Sequence, residues 1–70
     1  MSDIDFESLH NAVMENIDER LWNNYDFDIV LKSARIVWDG TAVQVESKDF
    51  SMIFDLVDYN LLDYEGFDVN

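Results

Sequence analysis

The chain has 70 residues, of which 49% are apolar and ten are aromatic, with no cysteine and no proline. That length sets a single domain near the size at which one apolar core can hold a fold, the apolar content argues against disorder, and the lack of Cys excludes disulfides, a thiolate nucleophile and any zinc site built on sulfur. The net charge is −12, whereas about 2 to 8 in magnitude keeps a small domain soluble, so the surface repels nucleic acid and anionic membranes and attracts basic protein surfaces.

The first element runs from residue 3 to 22. Ser2 and Asp5 fit an S-x-x-D start, and Phe6, Leu9, Val13, Ile17 and Leu21 recur at helical spacing, which predicts an amphipathic helix. Its solvent side carries Glu7, Asn11, Glu15 and Asp18, with Glu19 near the edge, and Asn23-Asn24 is the expected exit. Residues 25–34 support two readings. Asp26 can cap a short helix through Phe27, Val30 and Leu31, or the same stretch can be extended; the extended reading is preferred, giving a β region over 28–46.

Within that region Ile36-Val37-Trp38 and Thr41 to Glu46 are two β-branched runs joined by Asp39-Gly40, the pair that a type I′ hairpin turn requires. Alternation places Ala42, Gln44 and Glu46 on one face and Thr41, Val43 and Val45 on the other. The last stretch, 48–65, is predicted as a second amphipathic helix. Phe50, Ile53, Phe54, Val57, Leu61 and Tyr64 form its stripe, Ser47 its N-cap and Gly66 its stop, with residues 66–70 as a tail. The expected fold is therefore α+β: an N-terminal helix, a short antiparallel β-hairpin or small sheet, and a C-terminal helix, in one domain.

Charge is distributed unevenly along this plan. Residues 1–24 hold six acids against Arg20, residues 25–48 four acids against Lys32, Arg35 and Lys48, and residues 49–70 six acids and no base. A helix of about 16 residues spans roughly 24 Å and presents carboxylates on neighbouring turns. On the predicted last helix, Asp55, Asp58 and Glu65 share one side with Leu62, and Asp63 lies beside them; on the first, Glu7, Glu15 and Asp18 form a second acidic face. Such arrays can occupy phosphate positions in a surface built of Lys and Arg. Trp22, which follows the last stripe residue Leu21, is expected to point partly outwards and to serve as an aromatic contact for the partner.

Catalytic chemistry has little to draw on. His10 is the only histidine, and no nucleophile constellation accompanies it. The D-x-D pairs Asp3/Asp5 and Asp26/Asp28 lack the glycine turn and terminal glutamate of an EF-hand loop. Neither a glycine-rich phosphate loop nor a basic patch is present. The expectation is a protein that is not an enzyme, needs no cofactor or metal, and binds neither nucleic acid nor membrane directly. No apolar run approaches the ~20 residues of a membrane span, and the N-terminus is acidic where a signal peptide is basic, so the expected compartment is the cytoplasm.

In composition and rhythm the chain resembles the small acidic inhibitors that bacteriophages and mobile elements direct against host nucleic-acid enzymes: anti-CRISPR and anti-restriction proteins and the acidic DNA mimics. That resemblance implies a non-catalytic inhibitor in the host cytoplasm, whose partner is the basic surface of a nucleic-acid-binding enzyme or effector complex. Two other readings accompany it. An acidic immunity protein or antitoxin neutralising a basic toxin needs the same negative charge, and a small accessory subunit would use its apolar surplus to form a homodimer.

Overall fold

The computed structural model describes residues 4–66 and has an α+β architecture. Helix α1 (Phe6–Glu15) is followed by a 3-10 segment (Glu19–Asn24) and helix α2 (Phe27–Lys32). Strands β1 (Arg35–Val37), β2 (Ala42–Glu46), β3 (Phe50–Asp55) and β4 (Leu61–Gly66) then form one antiparallel sheet in sequence order. The helices pack on one face of that sheet, and the described residues place no second layer on the other.

Asp5 starts α1: its side chain accepts from the Ser8 backbone N–H at 3.2 Å and from the Ser8 hydroxyl at 2.9 Å. The cap thus lies three residues beyond Ser2, which is outside the described residues. Leu9, Val13 and Ile17 are buried as their spacing predicts, but the helix ends at Glu15 instead of Trp22. Three side chains take over its last turn. Asn16 Nδ2 donates back to the Ala12 carbonyl at 2.8 Å. Asp18 accepts from the Arg20 N–H at 3.0 Å and so starts the 3-10 segment. The Trp22 indole N–H donates to the carbonyls of Met14 and Ile17, at 3.2 and 3.0 Å, satisfying groups that a helix C-terminus leaves open. Trp22→Phe removes this donor from a half-buried site. The expected loss is about 1–2 kcal/mol of stability, measured by urea unfolding.

Residues 27–32 are helical, which corrects the preference for extended structure there. Asp26 decides the outcome by accepting from the N–H groups of Asp28 and Ile29, the capping geometry that releases the first turn from its orphan donors. Val30 is buried and Ile29 is 64% exposed, so the β-branched pair does not act as a strand. Glu46 N–H then donates to Ser33 Oγ at 2.8 Å, while Ser33 Oγ donates to the Val30 carbonyl at 2.6 Å, tying the end of α2 to β2.

The Asp39-Gly40 hairpin forms as read. Asp39 (φ 58°, ψ 34°) and Gly40 (φ 89°) both adopt left-handed conformations, and the Thr41 N–H donates to the Trp38 carbonyl at 3.2 Å. Trp38 is also left-handed, at φ 55°, so pairing of β1 with β2 begins one residue further out, at Val37 opposite Ala42.

The predicted C-terminal helix is absent; residues 50–66 form a β-hairpin instead. Phe50, Met52 and Phe54 are buried and alternate with Ser51, Ile53 and Asp55, a period of two that the helical stripe had obscured by skipping Met52. Val57, counted in that stripe, is 89% exposed. Three physical terms favour the strand: aromatic and β-branched residues suit a pleated surface, Asp55 and Asp58 at i, i+3 would repel on a helix, and β2 offers buried Val43 and Val45 opposite Phe54 and Met52. Ser47 is accordingly a turn residue whose N–H donates to the Phe50 carbonyl at 2.8 Å. Gly66 stops no helix; it lies opposite Phe50 with φ 131°, where a Cβ would sit 2.6 Å from the Phe50 Cα.

Candidate interaction surface

Pairing fixes which side chains share a sheet face, because residues directly opposite in an antiparallel pair lie on the same side. Val43 and Val45, with Phe50, Met52 and Phe54, face the helices and join Leu9, Val13, Ile17 and Val30 in the core. The other set, Arg35 and Val37, Ala42, Gln44 and Glu46, Ser51, Ile53 and Asp55, Asp63 and Glu65, forms the open face.

That face is divided electrically. On the β1–β2 side Arg35 Nη2 donates to Glu46 Oε1 at 2.8 Å and to Gln44 Oε1 at 2.9 Å, and Gln44 Nε2 donates to Ser51 Oγ at 2.8 Å. This polar ladder neutralises Glu46. On the β3–β4 side Asp55, Asp63 and Glu65 stand together, and neither ion pair formed among the described residues involves them. With strands ~4.8 Å apart and alternate residues ~7 Å apart along a strand, the three carboxylate positions form a strip across β3 and β4 in which each lies roughly 7–9 Å from the next. Half-buried Val37 and Ile53 supply apolar surface on the same face. Asp55 and Asp63 also hold backbone: Asp55 Oδ1 accepts from the Val57 N–H at 2.7 Å and Asp63 Oδ1 from the Tyr64 N–H at 2.8 Å.

The remaining acids named from sequence disperse. Asp58 lies in the β3–β4 turn, where its side chain accepts from the Asn60 N–H at 3.0 Å. It meets Glu15 in a cleft of about 270 Å³ between α1 and that turn, with Ser8, Asn11 and Tyr59 also in its walls. Two acids assigned to separate helices are thus brought to one place. Tyr59 takes up the tight turn at φ 57° and its hydroxyl accepts from the Asp5 N–H at 2.9 Å. Glu7 stays exposed in the first turn of α1, away from the open sheet face.

Three named residues do other work. Asp18 is held by Arg20, whose Nε lies 3.0 Å from Asp18 Oδ2. The guanidinium bonds, followed by the Arg20 backbone N–H, bring the Asp18 pKa down to about 2. Trp22 is half-buried, and its indole N–H is held by the Met14 and Ile17 carbonyls at the end of α1. Leu62 is 44% exposed and sits at the Ile53/Phe54 bulge, where it has no partner in the β3 register. The half-exposed aromatics are instead Phe6 and Trp38, at 52% and 50%. His10 packs edge-on against Phe27, with ring centroids 6.0 Å apart.

The Asp18 shift has a pH signature. A carboxylate whose folded pKa lies below its ordinary value of 3.8 contributes stability that is full above that value and is lost as pH falls through about 2. Asp18→Asn keeps the cap and removes the charge. The difference in Tm between the native chain and this variant is expected to be constant above pH ~4 and to shrink steadily below it. Asp5 is shifted in the same direction, chiefly by the Ser8 hydroxyl and then by the Ser8 N–H, so it remains as an internal control in the variant.

Comparison with protein families, curated proteins and solved structures finds no match. Among the described residues no group of three or more His, Cys, Asp or Glu side chains is placed to hold a metal ion, and no helix is long and apolar enough to cross a membrane.

Proposed function

We propose that this protein is a non-catalytic inhibitor that docks the acidic half of its open sheet face onto the basic, nucleic-acid-binding surface of a protein partner, an enzyme or effector complex of the kind that phage and mobile-element inhibitors block. The observation carrying this reading is the placement of Asp55, Asp63 and Glu65 on one sheet face, outside both ion pairs formed among the described residues, in a chain of net charge −12. Arg35 offsets only Glu46. Such a patch costs self-repulsion that solubility does not require, and opposing Lys and Arg side chains relieve that cost. Ile53 beside Asp63, with Val37 two strands away from β3 on the same face, suits a protein contact, which combines an apolar centre with a polar rim.

The supporting surface differs from the one the sequence suggested. A sheet replaces the C-terminal acidic helix, and the α1 acids Glu7 and Glu15 lie outside the open face. The test is capture by the tagged protein at low salt from lysates of a defence-competent bacterium, with the retained proteins identified by mass and then assayed for nucleic-acid binding. Recovery of a basic nucleic-acid enzyme that releases its DNA or RNA stoichiometrically as this protein is added is the expected result. Recovery of a small toxin whose activity is neutralised, with no nucleic-acid enzyme retained, would replace the proposal with the immunity-protein reading.

A further inference from the structure

Helix α2 has an outward face that the core does not use. Val30 is buried in the core, while Asp28, Ile29 and Lys32 are exposed and Leu31 is half-buried. Beside that face Phe6, at the start of α1, is 52% exposed, and Phe6, Leu31 and Ala34 line an open groove of about 440 Å³ with Asp28 and Lys32. A large apolar side chain exposed beside such a groove marks a contact surface.

Charge selects the occupant. Asp28 and Lys32 stand one helical turn apart, and neither takes part in the two ion pairs formed among the described residues. A twofold axis across α2 sets two copies of the helix antiparallel, so that Asp28 of each copy meets Lys32 of the other in one self-complementary patch. A uniformly basic partner would instead meet Lys32 with like charge. The patch also belongs to the stretch where a second copy is least repelled: residues 25–48 hold four acids against Lys32, Arg35 and Lys48, whereas the flanking stretches hold six acids each and Arg20 as their single base.

We infer that a second copy of the chain docks on this face, α2 against α2, as a weak twofold dimer with Phe6 at its apolar centre. The helices lie on the sheet face opposite Asp55, Asp63 and Glu65, so the dimer leaves both open faces free and stands or falls independently of the partner proposed for them. The native chain, D28K and K32D are compared by sedimentation equilibrium at about 0.15 M salt, where the Debye length of ~8 Å screens long-range repulsion between acidic copies more than contact pairs. In its own dimer D28K sets Lys against Lys at both contacts, and K32D sets Asp against Asp. Each homodimer is expected to weaken roughly thirtyfold. An equimolar mixture of the two restores both ion pairs and is expected to associate as tightly as the native chain. Phe6→Gln changes no charge and is expected to weaken the dimer as well.

A native chain that stays monomeric up to about 1 mM, where an association free energy of only about −4 kcal/mol would show, overturns the proposal. A native dimer that D28K, K32D and Phe6→Gln all leave intact overturns the α2 interface. Weakening by both charge variants, each folded by circular dichroism, without recovery on mixing overturns the antiparallel pairing of Asp28 with Lys32.

Discussion

Phe54→Ala is expected to lower the stability of the protein by about 3–5 kcal/mol. Phe54 is fully buried in β3, between β2 and β4, and faces the helices opposite Val43. Removing a buried phenyl ring costs about 3–5 kcal/mol, because the surrounding structure closes only part of the cavity. A domain of this length has a total stability of roughly 4–10 kcal/mol, so one substitution removes from about a third to all of it. Any folded remainder should melt roughly 15–35 °C below the native chain, as read by circular dichroism.

The informative control is Val57→Ala. On a C-terminal amphipathic helix Val57 would be core and its truncation costly; in the β3–β4 turn it is 89% exposed, and the expected change is within about 0.5 kcal/mol. The pair therefore reports the hairpin itself. A large loss at Val57 with a small one at Phe54 would contradict the sheet.

The second large effect concerns binding. D55N/D63N/E65Q removes three negative charges from the open face while retaining side-chain carbonyl acceptors, so the turn hydrogen bonds to the Val57 and Tyr64 N–H groups can persist. Stability should be unchanged or slightly raised, since self-repulsion falls. If each carboxylate facing a Lys or Arg contributes about 0.7 kcal/mol, the three together amount to about 2 kcal/mol, or roughly a thirtyfold weaker complex. Affinity is measured by calorimetry against the captured partner, with Tm measured in parallel. The matching neutralisation at Glu7, on the far side of the molecule, should change affinity little.

Much of the fold was legible because several local signals agreed. Leu9, Val13 and Ile17 have no strand-like alternation to compete with their helical spacing, and Asp39-Gly40 has few conformations other than the left-handed pair it adopts. Where two signals competed, tertiary pairing decided. Phe50, Ile53, Phe54, Val57 and Leu61 fit a helical period, yet Phe50, Met52 and Phe54 fit a strand equally well, and only the presence of β2 beside them selects the second. Asp26 illustrates the converse case: its cap outweighed the β-branched Ile29-Val30 that suggested extension.

The candidate site was half legible for the same reason. Asp55, Asp63 and Glu65 were identifiable as unneutralised acids from charge alone, but their grouping depends on strand parity. Asp58 leaves the group once the helix becomes a hairpin, because it falls in the β3–β4 turn. The local roles of Trp22 and Asp18, closing α1 and starting the next segment, were not legible because they depend on where the helix ends. Glu46 belongs to the open face and is foreseeable from the Asp-Gly hairpin, whereas its neutralisation by Arg35 requires the pairing of β1 with β2.

The most direct measurement is the salt dependence of nucleic-acid displacement from the captured enzyme by the native chain and by D55N/D63N/E65Q, titrated side by side. Between about 0.1 M and 1 M salt the Debye length contracts from ~10 Å to ~3 Å, so an interaction driven by the exposed carboxylates should weaken steeply for the native chain and much less for the variant. Displacement by both proteins with the same affinity and the same salt slope would contradict the assignment of the open sheet face as the binding surface.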